Sequence, residues 1–275
     1  MRIAEDTMES TDDDLKDFAA DGLTLPPGGV EGHVTHDGAR IWHAGYGAGQ
    51  PVILLHGGLG HSGNFGKQVP ALVAAGHRVI VIDSRGHGRS ARDDRPFSYE
   101  RMARDTRAVM DVLGIGKAAL VGWSDGACTA LVLAGRIPAR IAGVFFFACN
   151  VNPSGTKALD ESNPLLGRCF GRHRQDYAAL SPTPDRFDAL VADLAVMQQT
   201  QPNYSAADLA AIEVPVWSVL GENDEFIKRE HAETIARSIP GAAFRELSGV
   251  SHFAPLQRPA LFNATVLEFL NRLAF

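Results

Sequence analysis

Short apolar runs punctuate the chain at 51–55, 78–83, 118–122, 141–147, 214–220 and 243–247, each bounded by turn residues. Runs this brief with no polar face are strands buried on both sides. Between them the period changes. Residues 99–113 put Met102, Thr106, Val109, Met110 and Leu113 on one helical face. Helices are also expected over 66–75, 125–135, 228–238 and 260–273. Strands alternating with helices from residue 52 onward predict a mostly parallel sheet with helices on both faces. Ahead of it, His36-Asp37-Gly38 separates two short strands, and an Asp-Gly pair in that place is a β-hairpin turn. The alternation breaks between about 151 and 210. There Phe187, Leu190, Val191, Leu194 and Met197 keep helical spacing after Thr183-Pro184. The expected organisation is an α/β core over 29–150 and 211–275, with a small helical cap inserted over 151–210.

Composition narrows the picture. A chain of 275 residues, 45% hydrophobic, suits one sizeable domain with an insertion. The net charge of −6 argues against a nucleic-acid partner. Much of that charge sits in Asp6, Glu9, Asp12, Asp13 and Asp14, so residues 1–28 are expected to be an acidic, partly disordered lead-in, ended by Pro26-Pro27-Gly28-Gly29. No apolar run is long enough to span a bilayer, and acids rather than an apolar stretch follow Met1-Arg2. Cys128, Cys149 and Cys169 are odd in number and lack metal-ligand spacing. They are expected to be small buried hydrophobes in a reducing, cytoplasmic setting.

The strongest chemical signal is Gly122-Trp123-Ser124-Asp125-Gly126, a G-x-S-x-G between a strand and a helix. A sharp strand-to-helix turn strains the serine backbone, and flanking glycines remove the clashes that side chains would cause. The turn lifts the hydroxyl to a helix N-terminus, where backbone N–H groups stabilise a negative oxygen. Serine needs a base to become nucleophilic. Among ten histidines, His252 lies in the loop after the last strand, which opens at the same sheet edge as Ser124. The imidazole needs an orienting acid. Asp224 follows the strand ending at Leu220, with Glu222 and Glu225 as alternatives. For the oxyanion, the candidate donors are the N–H groups of Asp125 and of Gly58 in the 55–60 loop, each such donor contributing about 3 to 4 kcal/mol.

The Gly58-Leu59-Gly60-His61-Ser62-Gly63 segment also satisfies the dinucleotide fingerprint G-x-G-x-x-G, with Asp83 placed as the ribose acid. An NAD-dependent oxidoreductase is therefore a rival of another class, though it leaves Ser124, Asp224 and His252 unused. A ligand receptor built on a hydrolase fold is a second rival.

Taken together, His56-Gly57-Gly58, the 83–90 turn Asp-Ser-Arg-Gly-His-Gly-Arg-Ser, the Ser124 elbow, Asp224 and His252 resemble the α/β-hydrolase superfamily over roughly 30–150 and 210–275. The elbow wording is similar to that of biphenyl-hydrolase-like and valacyclovir-hydrolase-like members. The resemblance implies an α/β-hydrolase fold and hydrolysis of an ester, lactone, amide or C–C bond of a small molecule, with no metal or organic cofactor. A carboxylic ester is the leading substrate class, then a lactone or enol-lactone, then C–C hydrolysis or perhydrolysis. His56, Leu59, Trp123 and Phe253 are the expected substrate contacts, and His61 and His87 are structural or pocket-lining. The Asp125 carboxylate either recognises a substrate ammonium group or is tied to a neighbouring loop. The cap residues Arg168, Arg172, His173 and Arg174 either attract a carboxylate or face solvent.

Overall fold

The computed structural model of the chain describes residues 13–160 and 162–275. Chain order begins with helix α1 (Asp13–Asp21) and the hairpin β1 (Val30–His36) and β2 (Ala39–Tyr46). Asp37 and Gly38 at its tip have φ of 45° and 78°, as the two-residue turn requires. The alternating part follows: β3 (Gln50–Leu55), α2 (Gln68–Ala74), β4 (His77–Ile82), α3 (Tyr99–Val112), β5 (Ala118–Trp123), α4 (Asp125–Arg136) and β6 (Ile141–Phe147). The cap holds α5 (Pro164–Leu180), α6 (Phe187–Thr200) and α7 (Ala206–Ala210). The core then resumes with β7 (Val216–Gly221), α8 (Arg229–Ser238), β8 (Ala243–Leu247), α9 (Ala254–Gln257) and α10 (Pro259–Leu270). The helix expected over 260–273 is α10, which Pro259 opens after the short α9 and which ends at Leu270.

The strands form one eight-stranded sheet in the order β1-β2-β4-β3-β5-β6-β7-β8. Pairing is antiparallel at β1–β2 and β2–β4 and parallel from β4 to β8. Successive strand residues point to opposite faces, which explains the unbroken apolar runs. Ile53, Leu55, Leu120 and Phe146 join one core cluster with α3 and α4. Their neighbours Val52, Leu54, Val121 and Phe147 join the other with α2 and α10. Six parallel strands therefore send their C-terminal loops to a single edge.

Two expectations need correction. Residues 1–12 of the expected lead-in lie outside the described residues, but the part from Asp13 to Asp21 is a helix packed on the cap helix α5. Leu15 and Phe18 drive this; they are 0% and 2% exposed, so the acids hide an amphipathic face. Secondly, Cys128 and Cys149 are not isolated hydrophobes. Packing of α4 onto the end of β6 brings them together as a disulfide, and Cys169 stays free and buried. The pairing removes one argument for a reducing compartment. Among the described residues no helix is long and apolar enough to cross a membrane.

Phe18 packs its ring 5.7 Å from that of His173. Phe18→Ala is expected to lower unfolding stability by about 3 kcal/mol, the usual cost of emptying a buried aromatic site. A urea midpoint unchanged from wild type would show that α1 is not part of the cooperative fold.

Candidate active site

Ser124 sits between β5 and α4 with φ 53° and ψ −124°, a conformation costing on the order of 1–3 kcal/mol for a residue with a side chain. The neighbours make it possible. A Cβ on Gly122 would lie 2.4 Å from Ala127 Cα, and one on Gly126 would lie 2.0 Å from the Leu55 carbonyl oxygen. Only glycine allows α4 to approach β3 and β5 so closely. The Ser124 N–H donates to the Phe147 carbonyl oxygen at 2.9 Å, which ties the turn to β6. The serine is partly exposed, and its hydroxyl makes no hydrogen bond among the described residues.

Two strands further along the sheet, Asp224 and His252 meet. His252 Nδ1 and Asp224 Oδ2 are 2.9 Å apart, both groups being buried. Asp224 Oδ1 accepts the N–H groups of Phe226 and Ile227 at 2.8 and 2.7 Å, which fixes the carboxylate before the ring arrives. With Nδ1 donating to a carboxylate, Nε2 is left as the acceptor of a neutral ring. The Phe226 ring stands edge-on to the imidazole at 4.5 Å, and the Trp123 ring lies 6.1 Å away. Of the two alternative acids, Glu222 bonds the Gly249 N–H and Glu225 the His252 N–H; neither reaches the ring.

The loop after β3 closes the other side. Gly57 lies against Ser124, since a Cβ there would be 3.2 Å from that of the serine. Leu59 has φ 64°. The Gly58 and Asp125 N–H groups have no acceptor among the described residues. Asp125 itself answers one open question. Its Oδ1 accepts the Tyr99 hydroxyl at 2.7 Å and its Oδ2 accepts Nε2 of Gln198 from the cap at 3.0 Å. Both oxygens are thus tied to neighbouring elements, the second of the two roles anticipated. Burial pushes this carboxyl above the usual carboxylate range, although Tyr99, Gln198 and the His252 charge all pull it down. Tyr99 and Gln198 carry no sequence signal, because they meet Asp125 only through the fold.

The expected substrate contacts divide. His56 is buried with both ring nitrogens engaged: Nδ1 on the Gly57 carbonyl oxygen at 2.8 Å and Nε2 on the Ser84 N–H at 3.0 Å. It braces the loop and has no nitrogen left for a ligand. Trp123 and Phe253 are buried, whereas Leu59 is partly exposed beside Gly58. His61 accepts the Gly63 N–H on Nδ1 and turns Nε2 toward Asp176 of α5 at 3.4 Å. His87 is buried and lowered to about 3 by desolvation, then by the nearby His56. The basic cap residues do not converge: Arg172 binds Asp176, Arg174 binds Asp188, and His173 is buried.

The glycine fingerprint does not fit a dinucleotide. Asp83 is fully buried, with Oδ1 taken by the Ser62 N–H and Oδ2 by Arg89, so no oxygen faces a ribose. The glycine loop leads into a short 3-10 turn, Ser62–Phe65, and not directly into a helix N-terminus. Among the described residues no group of three or more His, Cys, Asp or Glu could hold a metal ion.

The sheet order and the strained strand-to-helix elbow define an α/β-hydrolase architecture. A family model described as "alpha/beta hydrolase fold" matches residues 50–187, and the chain belongs to that family. It is similar to the serine hydrolase BPHL of Homo sapiens, 26% identical over 249 residues that cover 86% of this chain and 85% of the relative. It is also similar to the 2-hydroxy-6-oxononadienedioate/2-hydroxy-6-oxononatrienedioate hydrolase of Burkholderia vietnamiensis, 28% identical over 87% of this chain and 94% of that protein. Among solved structures it resembles Est816, described as an N-acyl homoserine lactone degrading enzyme, with 28% identity and a TM-score of 0.67 over 86% of this chain and all (100%) of the other.

The sign of the Asp125 shift gives a test of its burial. A carboxyl raised in the folded state contributes stability that is fully present below its unfolded pKa and lost as pH rises through the folded value. Asparagine keeps an acceptor for Tyr99 without that loss. Asp125→Asn should therefore gain in melting temperature relative to wild type across the range upward from about pH 4. A difference that stays flat across that range would contradict the buried-charge account.

Proposed function

We propose that this protein is a serine hydrolase that cleaves a carboxylic ester of a small molecule through an acyl-enzyme. The observation that carries the proposal is the Asp224–His252 pair, whose imidazole lies 6.1 Å from the ring of Trp123, the residue before Ser124. His252 Nε2 takes the Ser124 proton as Oγ attacks the carbonyl carbon. The charge moves to the carbonyl oxygen, where the Gly58 and Asp125 N–H groups donate to it at the N-terminus of α4. Asp224 stabilises the imidazolium without taking its proton. His252 then protonates the departing alcohol. In the second half, water loses a proton to His252 and attacks the acyl-enzyme, releasing the acid and Ser124.

A second reading, lactone hydrolysis, follows from the likeness to a lactone-degrading enzyme. A lactone is a cyclic ester, so the same groups act and the alcohol stays attached to the released acid.

The expected outcome is covalent labelling of Ser124 by a fluorophosphonate, read by mass spectrometry, together with turnover of p-nitrophenyl esters. Ser124→Ala and His252→Ala should each lower kcat by roughly 10⁶, as triad members act as a unit. Near-wild-type activity in both would sink the proposal. A parallel series of lactones of graded ring and chain length separates the two substrate readings.

Gly58→Ala checks the oxyanion loop. The new Cβ would lie 2.6 Å from Asp125 Oδ2 and 3.0 Å from Gln198 Nε2, so the loop must shift. A loss in kcat on the order of 10² is expected, with KM little changed. An unaltered kcat would remove Gly58 from the hole.

A further inference from the structure

Two consecutive carboxylates grip the same histidine at different points. Asp224 holds the ring, and Glu225 Oε2 accepts the backbone N–H of His252 at 2.9 Å. Three other N–H groups of the 249–253 loop have acceptors of their own. Gly249 donates to Glu222 Oε2 at 2.8 Å, Ser251 to Gln257 Oε1 at 2.7 Å, and Phe253 to Ser251 Oγ at 3.1 Å. At the main chain of His252 the acceptor is Glu225.

We propose that Glu225 is a positioning residue for His252, fixing the backbone from which the imidazole projects while Asp224 fixes its rotation. The inference rests on reading Ser124, Asp224 and His252 as a triad. One anchor on the ring leaves the imidazole free to swing with its backbone, since the Asp224 loop and the His252 loop follow different strands. A second anchor on the main chain removes that freedom, and the two anchors are adjacent residues on one rigid turn. The Glu225 charge also lies near the ring, where it favours the imidazolium formed when Ser124 gives up its proton. Its effect therefore falls on kcat and not on KM.

The groups that face Glu225 are Asp224 beside it, His252 across from it, and Cys169 on α5, on which Arg168 also acts. Burial raises the Glu225 carboxyl above the usual range, opposed by the His252 N–H and charge. The carboxylate is the stronger acceptor. As pH falls through the raised value the grip weakens.

The test uses Glu225→Ala and Glu225→Gln in the full chain, with p-nitrophenyl acetate as substrate and active sites counted by fluorophosphonate labelling. Loss of a hydrogen bond to a charged acceptor should lower kcat of Glu225→Ala by about tenfold. Its KM should stay within about twofold. Glutamine offers Oε1 to the same N–H, so Glu225→Gln should recover most of that loss at about pH 8. On the acid side, log kcat of wild type should fall more steeply than that of Glu225→Gln, whose acceptor does not titrate. A Glu225→Ala protein with wild-type kcat per active site, whatever its melting temperature, overturns the inference, as do superimposable pH profiles of wild type and Glu225→Gln. If Glu225→Ala does not fold, the comparison of those two profiles decides alone. Full turnover in Ser124→Ala would refute the triad reading beneath it; an inactive Ser124→Ala beside a fully active Glu225→Ala would refute only the role of Glu225.

Discussion

The close approach of α4 to β3 and β5 is the constraint on which the site depends. Two glycines give up side chains so that the helix can start almost in contact with the Leu55 carbonyl. The result is a serine held at a positive φ that its own side chain disfavours. Such a conformation persists only where its surroundings over-determine it. Here they do, through the Phe147 carbonyl on one side and the first turn of α4 on the other. Strain at Ser124 is therefore offset by the packing of the central strands, and any loosening of that packing would be felt first at the hydroxyl.

Around this elbow the cap is attached by two different kinds of contact. Helix α6 is fastened to the Ser124 side by a row of polar ties: Asp193 to Arg92, Gln198 to Asp125, and, just past its end, Gln201 to the Tyr99 N–H. Beneath them Phe187, Leu190, Leu194 and Met197 join the core cluster that includes α3 and α4. Helix α5 reaches the opposite side. It packs on α1 and faces the loop after β3 through Asp176 and His61. Burial would raise the Asp176 carboxyl, but the bonds from His61 and Arg172 outweigh it and hold the group low. The cap is thus coupled to both loops that flank Ser124, and the N-terminal helix is coupled to the site through the cap.

The sheet and the three candidate catalytic positions were legible because each follows from a local rule. Buried parallel strands are uniformly apolar, a strained elbow demands glycines, and the other two residues follow strands that end at the same edge. What was not legible came from contacts distant in sequence. Gln198 meets Asp125 across 73 positions, and nothing in the sequence around either residue marks the pair. Helix α1 was hidden because its acids dominate the composition while Leu15 and Phe18 carry the packing. The glycine fingerprint misled for a related reason. Spacing alone does not say whether Asp83 keeps an oxygen free, and in the fold its oxygens are taken by Ser62 and Arg89.

Selectivity must come from the parts of the site that are open. His56, Trp123 and Phe253 are buried beneath the sheet edge that carries Ser124. Gly58, Leu59 and Ser124 are partly exposed, and Gln198 of the cap is exposed beside them while still bonded to Asp125. An exposed side chain can leave its partner at little desolvation cost to itself, whereas Asp125 cannot leave. The contact between core and cap at Gln198 is therefore the adjustable one, and the Asp224–His252 pair the fixed one. A fold that separates an exposed contact from a buried, strained turn in this way can vary the first without disturbing the second.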